Sequence, residues 1–445
     1  DIVFGDWSSD VCSSDLAQPY ATRIEDYAKR KGLAMIERYG NQVSSEWFFP
    51  KILEVLHEDE EVFNAAHTFI EAGDWVVSCL VGEDVRSSCQ AGYKAFWHKQ
   101  EGYPTSDFFA GIDSRLKTWV DEKLPRNIRS VGMTAGYLTD AYAHRLGLMK
   151  GTPVAVPYID AHSAVPGLGI TQPHQLCMIL GTSTCHMVVS KEEIMVTGIS
   201  GVVEDGILPG YYGYEAGQPC VGNALEWWID HYTPKEYHEE AIQQGLSIYQ
   251  LYELKASLLQ PGENGLIALD WLNGNRSVLS NSDLTSLLIG LNLSTRPEDI
   301  YRALIESTAY GAKTIIDNFR KQGVAINRIV ATGGITKKNA LWMQIYADVL
   351  GETIYVGRSD HAVALGSAIA ASVAAGKPTG GYATIEEASI AMGGIDEKCY
   401  IPKDEHVVIY KKMYDIYQHL HDFFGKQHPE MMKDLKVLSQ TNRKG

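Results

Sequence analysis

Positive charge is scarce in this 445-residue sequence: 39 Lys and Arg stand against 55 Asp and Glu, a formal charge of −16 at pH 7. That excludes a general basic face for nucleic acid or an anionic membrane. An anionic ligand would need a local cradle of backbone amides, a helix N-terminus or a metal ion. Long apolar runs are missing as well. A membrane-spanning helix needs roughly 18 apolar residues, and the nearest stretch, Ala362 to Gly376, is made of small residues and reads as a helix packed close to a sheet. Paired cysteines are absent. The seven present (Cys12, Cys79, Cys89, Cys177, Cys185, Cys220 and Cys399) are odd in number and scattered, which argues against a disulfide framework or a zinc site and for a reducing cytoplasm. No long low-complexity tract appears either. With 45% hydrophobic residues the chain is an ordinary globular one, and at about 150 residues per domain its length predicts two or three domains.

The first 16 residues lack an initiator Met and a signal-peptide layout, and they contain a near-duplicate, Ser8-Ser9-Asp10 and Ser13-Ser14-Asp15. They are expected to be foreign, adapter-like sequence outside the fold; a disordered Ser/Asp tail is the alternative. From residue 17 onward helical and strand-like patterns alternate, which predicts an α/β architecture. Ala21 to Tyr39 reads as one helix closed by Gly40, Ser45 begins a second, and Glu60 to Leu80 reads as a third. Thr152 to Ile159 is a short apolar strand. Two strand-like runs, 176–180 and 186–190, flank Gly181-Thr-Ser-Thr-Cys185 and predict a hairpin with a small polar turn. Ser294 or Thr295 is expected to cap a long helix that ends near Gly323. A strand 328–331, the turn Thr332-Gly333-Gly334, a helix 338–350, a strand 353–356 and the helix from Ala362 then form a βαβα unit.

Three places carry candidate chemistry. The turn Gly181-Thr182-Ser183-Thr184 presents amides and hydroxyls in a concave nest that suits the β- and γ-phosphate oxygens of ATP; a plain Ser/Thr-rich hairpin loop is the alternative. A Gly333-Gly334 turn at a strand's carboxyl end lets backbone approach a flat purine, although a tight strand-to-helix connection would look the same. Asn339 can cap the next helix or reach the ligand. Asp160, at the end of the Thr152–Ile159 strand, can accept a hydroxyl proton as that oxygen attacks phosphorus, or can cap the following helix. His162 and Cys185 read as a structural histidine and a small buried filler.

Eight segments in register give these places a context: Ser44-Ser-Glu-Trp47, Glu71-Ala-Gly-Asp-Trp75, Ala91-Gly-Tyr-Lys94, Asp160-Ala-His162, Met178-Ile-Leu-Gly-Thr-Ser-Thr-Cys-His186, Gly213-Tyr-Glu-Ala-Gly-Gln218, Leu269-Asp-Trp-Leu-Asn-Gly-Asn-Arg276 and Thr332-Gly-Gly334. In this pattern, from about residue 17 to about residue 425, the chain resembles the FGGY family of sugar kinases. The resemblance implies two actin-like lobes with ribonuclease-H-like mixed sheets: a sugar-binding lobe over 17–169, a nucleotide-binding lobe over 170–425 and a polar tail over 426–445. It implies ATP and Mg²⁺ as cofactors and phosphorylation of L-ribulose to L-ribulose 5-phosphate in arabinose catabolism, in the cytoplasm, and it allows a homodimer. Asp160 would be the general base toward the C5 hydroxyl, and Lys94 and Glu215 would hold sugar hydroxyls. Gly181, Thr182, Ser183 and Thr184 would cradle phosphate, Gly333 and Gly334 would face adenosine, and Asn275 and Arg276 would lie near the nucleotide; no protein metal ligand is expected. A kinase of another pentulose or polyol, or a non-catalytic actin-like nucleotide- or sugar-binding module, fits the same scaffold. The family opens with an Asp-x-Gly-Thr/Ser hairpin and a Leu-Trp-Lys sugar segment, and neither precedes Ala17. The expectation is that on the order of 100 residues of an incomplete first lobe are missing, and that residues 1–445 alone give no measurable ribulose-dependent ADP release.

Overall fold

A computed structural model describes residues 15–124 and 126–443. The expected foreign segment lies almost wholly outside the described residues. The chain divides into two compact units: residues 1–173, 189–214 and 363–393 form the first, and 174–188, 215–362 and 394–445 the second.

In the first unit the expected helix 21–39 is interrupted. A helix Gln18–Lys31 stops at Gly32, whose left-handed backbone (φ 62°) lets its N–H reach the Ala28 and Lys29 carbonyls, and a 3₁₀ segment Ala34–Tyr39 follows before Gly40. Glycine supplies this helix stop without a Cβ clash. The expected helix 60–80 is also two: Glu60–Ala65, capped by the Asp59 carboxylate, and Ala72–Val81. The first cannot continue because the Lys123 ammonium donates to the carbonyls of Phe63, Asn64 and Ala66 at 2.8, 3.0 and 2.7 Å. These helices enclose an aromatic core in which Phe49 touches Phe96, Phe109 and Trp119 with ring centroids 4.7–5.7 Å apart. Such pairs add about 0.5–1.5 kcal/mol each beyond area burial. Two small strand pairs accompany this core. β1 (Arg86–Ser87) runs parallel to β2 (Ile128–Arg129), and β3 (Thr134–Tyr137) antiparallel to β4 (Pro153–Ala155). β4 stops well before Ile159, and Ser87 takes the Pro157 carbonyl with its hydroxyl at 2.6 Å.

The large sheet begins with the predicted hairpin, β5 (Gln175–Leu180) and β6 (Thr184–Ser190), followed by β7 (Gly201–Glu204) and β8 (Tyr212–Gln218). A two-stranded pair, β9 (Ile267–Ala268) and β10 (Leu288–Ile289), stands apart from it. β11 (Arg328–Thr332), β12 (Ile354–Gly357) and β13 (Ile395–Tyr400) complete the order β13-β12-β11-β5-β6-β8-β7. β11 is parallel to both β5 and β12, whereas β5 and β6, and β12 and β13, are antiparallel, so the sheet is mixed as expected. Its central strands are covered on both faces: Leu176, Cys177, Met178, Ile329, Val330, Ala331 and Ile354 have no exposed surface.

The long helix runs over Pro297–Lys321. Neither Ser294 nor Thr295 caps it. Asn292 engages both in a turn of their own, and the Asp299 carboxylate accepts the Arg296 N–H at 2.8 Å instead. After β11 a short helix, Gly334–Lys338, gives way to Ala340–Leu350, and the Asn339 side chain caps the latter through the Trp342 N–H at 2.8 Å. Residues 362–375 are helical as expected.

Candidate active site

In the second unit, Leu180 pairs with Thr184, which leaves Gly181, Thr182 and Ser183 as a three-residue turn. The turn is held from one side by the helix Gly222–Tyr232. Gly222 donates to the Gly181 carbonyl at 3.0 Å, and Val221 and Asn223 donate to the Thr182 carbonyl at 2.9 and 3.4 Å. A Cβ at Gly222 would lie 2.7 Å from the Gly181 oxygen, so the close approach requires glycine. The Gly181 amide is used internally, reaching the Ser183 carbonyl at 3.0 Å. The amides of Thr182 and Ser183 find no acceptor among the described residues, and the buried Thr184 hydroxyl has no partner. A buried donor without a partner, next to a small turn whose Thr182 is exposed, is what an oxyanion of phosphate would satisfy.

The glycine turn comes to the same place. β11 lies beside β5, Thr332 opposite Ile179, and Gly333 follows with φ 104°. A Cβ on Gly333 would stand 2.2 Å from the Leu180 carbonyl oxygen, whereas Gly334 is exposed and has nothing within 4 Å of its Cβ position. Asn275 and Arg276 arrive from another direction. Asn275 exchanges backbone hydrogen bonds with Asn281, and its side-chain oxygen accepts from the Leu279 N–H at 2.9 Å, so it shapes its own turn. The neighbouring Ser277 hydroxyl accepts from the Gly217 N–H at 3.1 Å. A Cβ on Gly217 would lie 2.9 Å from the Thr184 carbonyl and 3.7 Å from the Arg276 guanidinium, which sets the 275–277 turn beside the hairpin.

The first unit carries the other group. Asp160 is exposed and opens the helix Asp160–Gly167, its carboxylate accepting the Ala161 N–H at 2.7 Å. Lys94 closes the helix Ser88–Lys94 and is half-buried. The two helices meet through neighbours: the buried His162 ring stacks on Tyr93 with centroids 4.4 Å apart, and the Tyr93 hydroxyl donates to the Gly213 carbonyl at 2.6 Å. His162 is thus the structural histidine expected. Glu215, two residues beyond Gly213 on β8, belongs to the second unit and is half-buried.

Two contributors carried no assigned role in the sequence. Burial raises the Glu71 carboxyl above its usual range, with Lys94 and Arg86 opposing, so a carboxylate stands close to the expected sugar lysine. Gly222 gives the phosphate turn its backing. Glu71 belongs to a quoted segment, and Gly222 lies just past another, but neither residue has a local pattern that announces a partner distant in sequence. A separate groove of about 490 Å³ in the first unit, lined by Ser130, Thr171, Asp205, Tyr211 and Glu386 among others, includes none of the expected residues. Among the described residues no helix is long and apolar enough to cross a membrane, and no cluster of three His, Cys, Asp or Glu could hold a metal ion.

Comparison with known proteins gives these two groups a family. Residues 176–375 match the C-terminal domain of the FGGY family of carbohydrate kinases. The chain is 50% identical over 422 residues to the ribulokinase of Bacillus licheniformis, covering 95% of this chain and 76% of that protein. It is 47% identical over 428 residues to the ribulokinase of Halalkalibacterium halodurans, covering 96% and 76%. Among solved structures, the xylulose kinase from Rhodospirillum rubrum superposes with a TM-score of 0.76 at 21% identity, over 93% of this chain and 78% of that one. Plasmodium falciparum glycerol kinase with ADP gives 0.69 at 15% identity, over 89% and 77%. The structural likenesses speak for the fold, and the near-half identity along almost the whole chain speaks for the family: the chain belongs to the FGGY family of carbohydrate kinases.

Proposed function

We propose that this chain is an ATP-dependent kinase of L-ribulose, transferring the γ-phosphoryl group of ATP to the C5 hydroxyl. The observation that carries the reading is the 46–50% identity to ribulokinases over about the whole chain. In this reading the first unit supplies the sugar side. Asp160 accepts the proton of the attacking hydroxyl, a role its exposed carboxylate at a helix start can serve, since the group must reach a substrate rather than the protein. Lys94, with Glu71 beside it, holds sugar hydroxyls and fixes the angle of attack, and Glu215, which belongs to the second unit, is read as a further sugar contact.

The second unit supplies the nucleotide side. The Thr182 and Ser183 amides and the Thr184 hydroxyl hold phosphate oxygens, Gly333 and Gly334 leave room for adenosine, and Arg276 sits beside the phosphate turn. The buried, unpartnered Thr184 hydroxyl and the close approach of Gly333 to Leu180 support this. Mg²⁺ is taken as arriving bound to the phosphates of ATP, where it would neutralise charge that builds up during transfer. A cytoplasmic setting belongs to the same reading, and the six free cysteines among the described residues suit it.

The test is calorimetry on residues 1–445 with L-ribulose and with ADP plus Mg²⁺. Saturable heat from both is expected. Binding of ADP without L-ribulose, but with another polyol, would move the reading to a different sugar. Binding of neither would overturn it.

A further inference from the structure

Asp270 opens the segment that ends in Asn275 and Arg276, and it is buried in the second unit with 7% exposure. Both carboxylate oxygens are taken. Oδ1 accepts from the Tyr417 hydroxyl at 2.7 Å and Oδ2 from the Gln218 amide at 2.8 Å. Gln218 also donates to the Thr308 carbonyl at 3.0 Å. It is the last residue of β8 and follows Gly217, whose N–H is fixed by Ser277. One carboxyl therefore ties the helix Asp404–Asp422, the long helix Pro297–Lys321 and the end of β8 to the start of the 270–276 segment. The long helix is cut away to receive it: a Cβ on Gly311 would lie 2.1 Å from Asp270 Oδ2 and 2.5 Å from the Gln218 amide nitrogen. Trp271, fully buried, stands edge-on to the His421 ring at 5.4 Å and holds the segment's next residue.

For stability alone this is an expensive choice. Burial disfavours the ionised carboxyl, and the Tyr417 and Gln218 hydrogen bonds and nearby His421 only oppose that cost. A packed apolar residue of the same volume would avoid it. A fully satisfied polar hub does what an apolar residue cannot, because each bond fixes a direction as well as a distance.

We propose that Asp270 is a positioning residue for the nucleotide: by fixing Gln218 and the root of the 270–276 segment, it sets where Gly217 and Arg276 stand beside Thr184. The inference rests on the reading of the second unit as the nucleotide side.

The test uses residues 1–445 carrying Asp270→Asn, which keeps the shape but can accept from only one of its two partners, so the Tyr417 hydroxyl has to turn and accept from the new NH₂. ADP affinity in calorimetry should fall about tenfold, as expected when a buried donor loses its partner, while L-ribulose affinity and the unfolding midpoint stay near the parent's. Hydrogen exchange should quicken at residues 215–218 and 275–281. Adding Tyr417→Phe removes the hydroxyl that can turn to accept from the new NH₂ and should deepen the loss of ADP affinity while L-ribulose affinity stays near the parent's. Parent-like ADP affinity in Asp270→Asn, or equal losses for ADP and L-ribulose, would overturn the proposal. Should that variant fail to fold, Gln218→Met asks the same question from the strand side with the same two outcomes. If the parent itself binds no ADP, the kinase reading falls, and unchanged exchange at 215–218 and 275–281 would separately overturn the positioning role.

Discussion

The α-carbon of Gly333 is pressed against the Leu180 carbonyl so closely that a β-carbon would lie 2.2 Å from that oxygen. This contact joins the glycine turn after β11 to the mouth of the β5–β6 hairpin. Gly333→Ala should therefore push the two apart and weaken ADP binding, and with φ at 104° the strain should cost about 1–3 kcal/mol in chemical denaturation. For the stability measurement, Gly334→Ala is the internal control. Nothing lies within 4 Å of its Cβ position, and it should be neutral or stabilising by about 0.4–1 kcal/mol.

Asp160 is exposed, and the hydrogen bond its side chain accepts is from the adjacent Ala161 amide. Asp160→Asn should leave the unfolding midpoint and ADP affinity near the parent's. If the carboxylate is the proton acceptor, ribulose-dependent ADP release by a full-length enzyme that carries this chain should fall by about 10²–10⁴-fold relative to the same enzyme without the substitution. A coupled assay checks this, and a loss of only a few-fold would remove Asp160 from the role.

Two buried groups should tilt stability with pH in opposite directions. Burial pushes the Asp74 carboxyl up to about 7, against a hydrogen bond from the Ser87 N–H. Its contribution is complete below the unfolded pKa of about 4 and is lost as pH rises from there toward 7. Burial alone lowers His186 to about 3. Its contribution is complete above the unfolded pKa of about 6.5 and is lost as pH falls toward 3. Each slope is at most about 1.4 kcal/mol per pH unit. Denaturation series should show Asp74→Asn removing the decline between pH 4 and 7, and His186→Gln removing the acid-side loss.

The small-residue helix 362–375 should tolerate no enlargement at Gly366. A Cβ there would stand 1.6 Å from the Ser163 carbonyl oxygen, and the Ser163 hydroxyl already reaches the Val363 carbonyl at 2.8 Å. Gly366→Ala should destabilise by about 1–3 kcal/mol despite the better helix propensity of alanine. A urea midpoint equal to the parent's would show that the helix can shift away.

Much of this protein was determined by local sequence. The β5–β6 hairpin, the long helix, the strand–turn–helix around Gly333 and the 362–375 helix are set by apolar period, turn residues and helix breakers, all within a few residues of the structure they dictate. The family was legible for a different reason: eight short segments kept their order and spacing along the chain. Tertiary structure decided what depends on partners far apart in sequence. Lys123 ends a helix 60 residues earlier by taking its carbonyls, and Asp299 displaces the expected caps of the long helix. Gly222 backs the phosphate turn, and Asp270 meets Tyr417 across 147 residues. No period or local motif encodes such pairs, because a buried polar group takes whichever partner packing brings within hydrogen-bond reach.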